Sequence, residues 1–203
     1  MPRSEAGLLS RRQTGLLLLL AAAALQTQAW TNKQAEIDVY CQQLRQQFKD
    51  VPPYYFSGPD PWAELPELPP DFEDAAVATA YMDGTRIQWV VLELQGGGGT
   101  EANGWYEKVD YYFDFEGKIV KRERHLEHVA ANSAVDESKY YINGKKFKAR
   151  LTHHALAKGR EDWSKLFDPE APEYTNANEL PFPAISVRRQ RLAFGTTMKD
   201  AIE

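Results

Sequence analysis

The sequence predicts an α+β fold: one N-terminal helix packed on an antiparallel meander sheet of five to seven strands. Three observations predict it. Apolar residues recur at helical spacing between Ile37 and Phe48. Asp83-Gly84 and Asn143-Gly144 are residue pairs that tolerate the positive φ required by two-residue hairpin turns. A third, slightly longer turn falls at Phe115-Glu116-Gly117, and strand-like runs flank all three. Successive hairpins imply antiparallel pairing, and a helix with one apolar face covers one side of the resulting sheet.

Residues 1–29 have the layout of a cleavable export signal. Arg3, Arg11 and Arg12 precede an uninterrupted apolar run from Gly15 to Leu25, and Thr27 and Ala29 place small residues at the −3 and −1 positions of a cut. The run is well short of the roughly 20 residues that cross a bilayer as a helix. Arg11-Arg12 also fits a twin-arginine leader, although paired arginines occur in ordinary leaders too. The mature chain is therefore expected to begin near Trp30, to have no transmembrane span and to be secreted or periplasmic. Residues 30–203 fit one globular domain by size.

Within that domain, residues 31–49 read as a helix. Thr31 or Asn32 caps its start, Glu36 lies in its first turn, and Ile37, Tyr40, Cys41, Leu44 and Phe48 form its apolar stripe. Cys41 is the only cysteine, so no intrachain disulfide forms, and its place on the stripe predicts burial. Residues 51–72 are proline-rich, which predicts an ordered strap with no strand or helix of any length. Tyr54, Tyr55, Phe56 and Trp62 give that strap surface to bury.

The sheet is expected over residues 75–151, from runs at 75–82, 85–95, 105–113, 118–128, 139–142 and 145–151. Trp89-Val90-Val91-Leu92 is apolar on both faces and predicts a central strand. In the third run Trp105, Val109, Tyr111 and Phe113 share one face, opposite Tyr106, Lys108, Asp110 and Tyr112. The fourth run is polar on both faces, which predicts an edge or a water-lined groove. The last alternates, with Phe147, Ala149 and Leu151 against Lys146, Lys148 and Arg150. Residues 152–203 read as a mixed region: a helix over 153–167, a loop over 168–183 and a further strand over 184–194.

Charge is segregated along the chain. Residues 30–117 hold 5 basic and 16 acidic side chains, whereas 118–150 hold 9 basic and 4 acidic. Lys121, Arg122, Arg124, Lys146, Lys148 and Arg150 are accordingly the partner-binding candidates, for an anionic or macromolecular partner. The same charges also serve to attract the acidic part of the fold or to protect a strand edge. Nucleic acid is not expected for an acidic exported chain without a recognition motif.

Catalytic and cofactor patterns are missing from the sequence. There is no Gly-x-Ser-x-Gly. The glycine run at 96–99 is followed by Glu101 and a strand rather than by the lysine and helix of a phosphate loop. Acidic pairs such as Asp110 and Asp114 arise readily in so acidic a chain. His125, Glu127 and His128 are the metal candidates by residue type, with Glu123 on the same side of a strand as His125 and Glu127. Their spacing matches no metal signature, and His125 and His128 point to opposite faces of a regular strand. No catalytic residue and no cofactor is assigned. The expectation is an exported non-catalytic binding or cell-envelope module. The alternative is a small exported, metal-assisted enzyme using the histidines between 125 and 154.

Intact mass and N-terminal sequencing of the protein exported by its own host should give a chain beginning at Trp30. An exported chain that keeps residues 1–29 would contradict the cleavage.

Overall fold

A computed structural model describes residues 30–58, 62–68, 76–84, 86–96, 104–157 and 173–181. The expected export signal, the glycine run beyond Gly96 and the strand at 184–194 lie outside the described residues, as does the expected helix at 153–167 from residue 158 on; its first residues, 153–155, are instead the end of a strand. One helix packs against an antiparallel sheet of eight strands. Helix α1 covers the described residues 30–47. The strands are β1 (Tyr54–Gly58), β2 (Ala63–Leu65), β3 (Ala76–Asp83), β4 (Arg86–Gly96), β5 (Trp105–Phe113), β6 (Ile119–His128), β7 (Ser133–Ile142) and β8 (Lys145–Ala155). Their order across the sheet is β2-β1-β3-β4-β5-β6-β7-β8, so every chain-neighbour from β3 onward is also a spatial neighbour. Among the described residues no helix is long and apolar enough to cross a membrane.

Eight strands are one more than the expected five to seven, and two of them, β1 and β2, come from the proline-rich strap expected to hold no strand. Pro52 and Pro53 precede β1 and Pro66 follows β2, so the prolines bound the strands without removing their ladder hydrogen bonds. β1 pairs with β3 through Tyr54–Gly58, and β2 adds only Ala63–Leu65 outside it. Gly58, at the end of β1, leaves room for the Trp62 ring, which a Cβ there would meet at 2.5 Å. β7 also begins earlier than the run at 139–142, at Ser133. A short 3₁₀ turn, Val129–Ala131, and a left-handed Asn132 (φ 48°) return the chain sharply after β6. The Asn132 side chain then holds Ala157 beyond the end of β8.

The hairpins follow backbone preference. Asn143 (φ 52°) and Gly144 (φ 74°) both lie in the left-handed region, as a type I′ turn requires. At the β3–β4 hairpin Asp83 pairs with Arg86, so Asp83 belongs to the ladder and the turn begins at Gly84, one residue beyond the start of the expected pair. Gly84 takes the left-handed position at φ 59°, which glycine adopts without steric penalty. Between β5 and β6, Asp114 Oδ1 accepts from the amides of Glu116 and Lys118, and Gly117 reverses the chain at φ 77°.

Strand alternation divides the sheet into two faces. The core face gathers Phe56, Ala78, Ala80, Val90, Leu92, Val109, Tyr111, Phe113 and Ile119 into the main apolar cluster. Residues 173–181 close this cluster from the C-terminal side. Leu180 is buried in it, Tyr174 lies 5.3 Å from Tyr111, and Ile119 N–H donates to Thr175 O. This stretch holds one 3₁₀ turn, Ala177–Glu179, in a region expected as loop.

The helix occupies the other face. Contacts divide the chain into two compact units at Tyr40–Cys41. In the second unit the helix packs on the sheet through Phe48, whose ring lies 5.7 Å from Tyr81, and through Arg45, which stands over the Tyr112 ring at 5.3 Å. Ile37, Cys41, Leu44 and Phe48 are all buried, as the stripe predicted.

The main departure concerns β6. Expected at an edge or groove, it lies between β5 and β7, with β8 beyond. Its charges are accommodated by diagonal neighbours on the adjacent strands. Arg124 pairs with Glu107 of β5, and Arg122 Nη1 lies 2.9 Å from Glu137 of β7. Glu107 is 1% exposed and Arg122 is 2% exposed, so the core face contains an ionic layer beside its apolar cluster. A strand can therefore be polar by composition and interior by position, provided each ion finds its counterion.

Replacing Glu107 with Ala leaves Arg124 buried without its main partner, and urea unfolding at neutral pH should show a loss of about 3–5 kcal/mol. The double replacement Glu107→Leu with Arg124→Met should recover most of that loss.

Candidate binding surface

Register places the polar residues of the helix face in a grid over β5 to β8. One row runs Asp110, Glu123, Ser138, Arg150. The next runs Lys108, His125, Asp136, Thr152, and a third Tyr106, Glu127, Ala134, His154. Above them lies Tyr112, Lys121, Tyr140, Lys148. Helix contacts fall on the upper part of this grid, around Tyr112 and Glu123. The lower rows form an open cleft of about 260 Å³, whose lining includes Lys108, Asp110, Glu123, His125, Asp136 and Ser138.

A ladder of aromatic rings borders the cleft. Tyr81 stacks on Trp89 at 4.3 Å, and Trp89 lies nearly parallel to Tyr112 at 6.0 Å. Trp89 Nε1–H donates to Asp110 Oδ1 at 2.8 Å. Arg45 Nε–H donates to the Tyr112 hydroxyl, which reaches Glu123 Oε2 at 3.2 Å and Asp110 Oδ1 at 3.4 Å. Glu123 is further held by the Arg45 guanidinium and by Lys121 Nζ at 2.7 Å. Burial pushes the Asp110 carboxyl above the ordinary carboxylate value, although the Trp89 hydrogen bond and the nearby Lys108 and Arg45 charges oppose the shift.

His125 sits between two carboxylates. Its Nδ1 is 2.7 Å from Asp136 Oδ1, and its Nε2 is 2.9 Å from Glu127 Oε1. Partial burial acts to lower its pKa, but the bonds to Asp136 and Glu127 outweigh burial and raise it above the usual histidine value of 6.5. His154 joins from β8, with Nδ1 3.6 Å from Asp136 Oδ2 and its ring 6.4 Å from that of His125. His128 is not part of this group. It pairs in register with Trp105 and Ser133 on the core face, is 6% exposed, and its Nδ1 has no hydrogen-bond partner among the described residues. His153 pairs with Val135, also on the core-face side. Of the metal candidates His125, Glu127 and His128, the structure thus brings together the first two only. Among the described residues no group of three or more ligating side chains is arranged to hold a metal ion. Asp110 and Asp114 are likewise separated, since Asp114 supports the β5–β6 turn.

The basic candidates also divide. Lys121, Arg122 and Arg124 are buried on β6 at 6%, 2% and 8% exposure and engaged in ion pairs, Lys121 on the helix face and the two arginines on the core face. Lys146, Lys148 and Arg150 are exposed on β8. They do not share one face. Tyr141 pairs with Lys146 and Tyr140 with Lys148, so Phe147 is an extra residue in a bulge, and its ring packs 6.2 Å from Tyr140. The bulge turns Lys146 toward the core-face side, while Lys148 and Arg150 stay on the helix-face side. Among the described residues β8 pairs with β7 alone, and ten of its eleven residues are exposed.

Sequence alternation already grouped Lys108 with Asp110 and Tyr112, and Glu123 with His125 and Glu127. It could not align those groups, because register between strands depends on bulges and turn geometry. Arg45, Asp136 and Ser138 join the site through that alignment. Comparison with protein-family models, curated proteins and solved structures finds no match to this chain.

The imidazolium form of His125 is favoured in the folded protein, so its contribution to stability is present below the unfolded-state pKa and is lost as pH rises through the raised folded value. An NMR titration of the ring protons should give a midpoint above 6.5, and Asp136→Asn should move it downward. An unchanged midpoint in that variant would show that Asp136 does not hold the charge.

Proposed function

We propose that the protein is an exported, non-catalytic binding module that captures an acidic, extended protein segment along β8. The observation that carries this reading is the edge itself: an eleven-residue strand, exposed nearly throughout, with the sequence KKFKARLTHHA. It has Lys145, Lys146, Lys148 and Arg150 and no acidic residue. A sheet edge offers backbone donors and acceptors to one further strand, and alternate side chains supply selectivity. Pairing β8 with the β8 of a second copy would set cations against cations, which disfavours that association and leaves the edge open to an acidic strand. Leu151, at 56% exposure, adds apolar surface to the same strand. Export rests on the signal layout of residues 1–29. A metal-assisted enzyme built on His125 and His128 has less geometric support, because the two rings belong to opposite faces of β6.

Fluorescence anisotropy with a labelled peptide alternating Glu and Val tests the proposal. Binding should weaken steeply with salt, and replacing Lys145, Lys146, Lys148 and Arg150 with Glu should reduce affinity by at least about tenfold, a loss of roughly 1.4 kcal/mol or more. Equal binding by the variant, or by a peptide alternating Lys and Val, would overturn it.

A further inference from the structure

The cleft on the helix face differs from β8 in depth and in the state of its polar groups. Most of its charges already have counterions. Glu123 is held by Arg45 and Lys121, and Asp136 is held by His125 and approached by His154. Three groups are not engaged in this way. The Lys108 ammonium is half-buried and makes no ion pair or side-chain hydrogen bond among the described residues. The Ser138 hydroxyl, also half-buried, makes none. Asp110, 8% exposed, accepts from Trp89 and Tyr112 through Oδ1, while its Oδ2 receives no hydrogen bond among the described residues. The three lie on β5 and β7 around the floor formed by Glu123 and His125 of β6.

Lys108 has the acids Asp110 and Glu93 near it but makes no ion pair with either, so its half-buried ammonium keeps capacity for an anionic group. An unsatisfied carboxylate oxygen and a hydroxyl are sites for ligand hydroxyls, the first accepting and the second able to donate or accept. A free metal cation is disfavoured by the Lys108 charge. A bare phosphate or carboxylate would leave Asp110 Oδ2 without a donor, which a ligand hydroxyl supplies. The volume, about 260 Å³, falls just below the roughly 300–1,000 Å³ of pockets for drug-sized ligands and suits one small polar molecule.

We propose that this cleft binds a hydroxyl-rich monoanion of the sugar-acid class, with its carboxylate on Lys108 and its hydroxyls on Asp110 and Ser138. The site is independent of the β8 edge, since none of these three residues belongs to β8.

The test follows backbone amide resonances of the mature chain while glucuronate is added, with glucose and inorganic phosphate as separate titrants. Glucuronate should produce saturable shifts centred on Lys108, Asp110 and Ser138, with a dissociation constant in the millimolar range. Glucose and phosphate should each bind at least about tenfold more weakly. Lys108→Met should reduce glucuronate affinity by at least about tenfold. Ser138→Ala, a smaller change that preserves the strand, should reduce it several-fold. The β8 charge-reversal variant should bind glucuronate as the parent does. The proposal is overturned if glucuronate gives no saturable shift well beyond millimolar concentration. It is equally overturned if phosphate binds as well as glucuronate, or if both cleft variants, folded by circular dichroism, keep the parent affinity.

Discussion

The ionic strand β6 is the constraint on which the sheet depends. Its sequence, IVKRERHLEH, places seven ionisable side chains between two neighbouring strands. Removing ions from water costs several kcal/mol each unless counterions and hydrogen bonds replace the solvent. Glu107 on β5 and Glu137 on β7 supply those counterions on the core face. On the helix face, Lys121 and Glu123 pair with one another and Glu123 also meets Arg45. A slip of one residue in either β5–β6 or β6–β7 would exchange the faces and break the pairs together. The ions thus contribute to register as well as bearing on stability.

The same strand joins the helix to the sheet. Glu123 is fixed by Lys121 on its own strand and by Arg45 from the helix, and Arg45 in turn donates to Tyr112. Tyr112 continues a ring ladder through Trp89 to Tyr81, on which Phe48 of the helix rests. Apolar stacking of Phe48 and the hydrogen-bond network of Arg45 thus hold this stretch against the helix face of the sheet. Asp110 lies beside that network, where burial raises its pKa.

The two ends of the sheet differ for reasons visible in composition. β2 is three residues long and follows the proline-bounded β1, so it offers little to a further strand. β8 is long and has no acidic residue, and its bulge at Phe147 distributes cations to both sides. The basic residues of 118–150 consequently divide into two populations. Those on β6 neutralise acids inside the fold, whereas those on β8 meet solvent. Net charge by segment could not separate these populations, because neutralisation depends on which strand lies beside which.

Much of the fold was legible in sequence. Helical spacing at Ile37, Cys41, Leu44 and Phe48 identified the buried stripe, and left-handed preferences at Gly84, Asn143 and Gly144 located two hairpins to within a residue. Period-2 alternation grouped Lys108, Asp110 and Tyr112 on one face of β5. These features are local, and short-range steric preference and hydrophobic periodicity determine them. The strap strands, the interior position of β6, the division of the histidines between faces and the cleft itself required the tertiary structure. Each depends on register, which aligns Glu107 with Leu126 rather than Arg124 by direct pairing and leaves Arg124 to reach it diagonally. Sequence alone determined which residues could share a strand face; the packing of strand on strand decided which of those faces met.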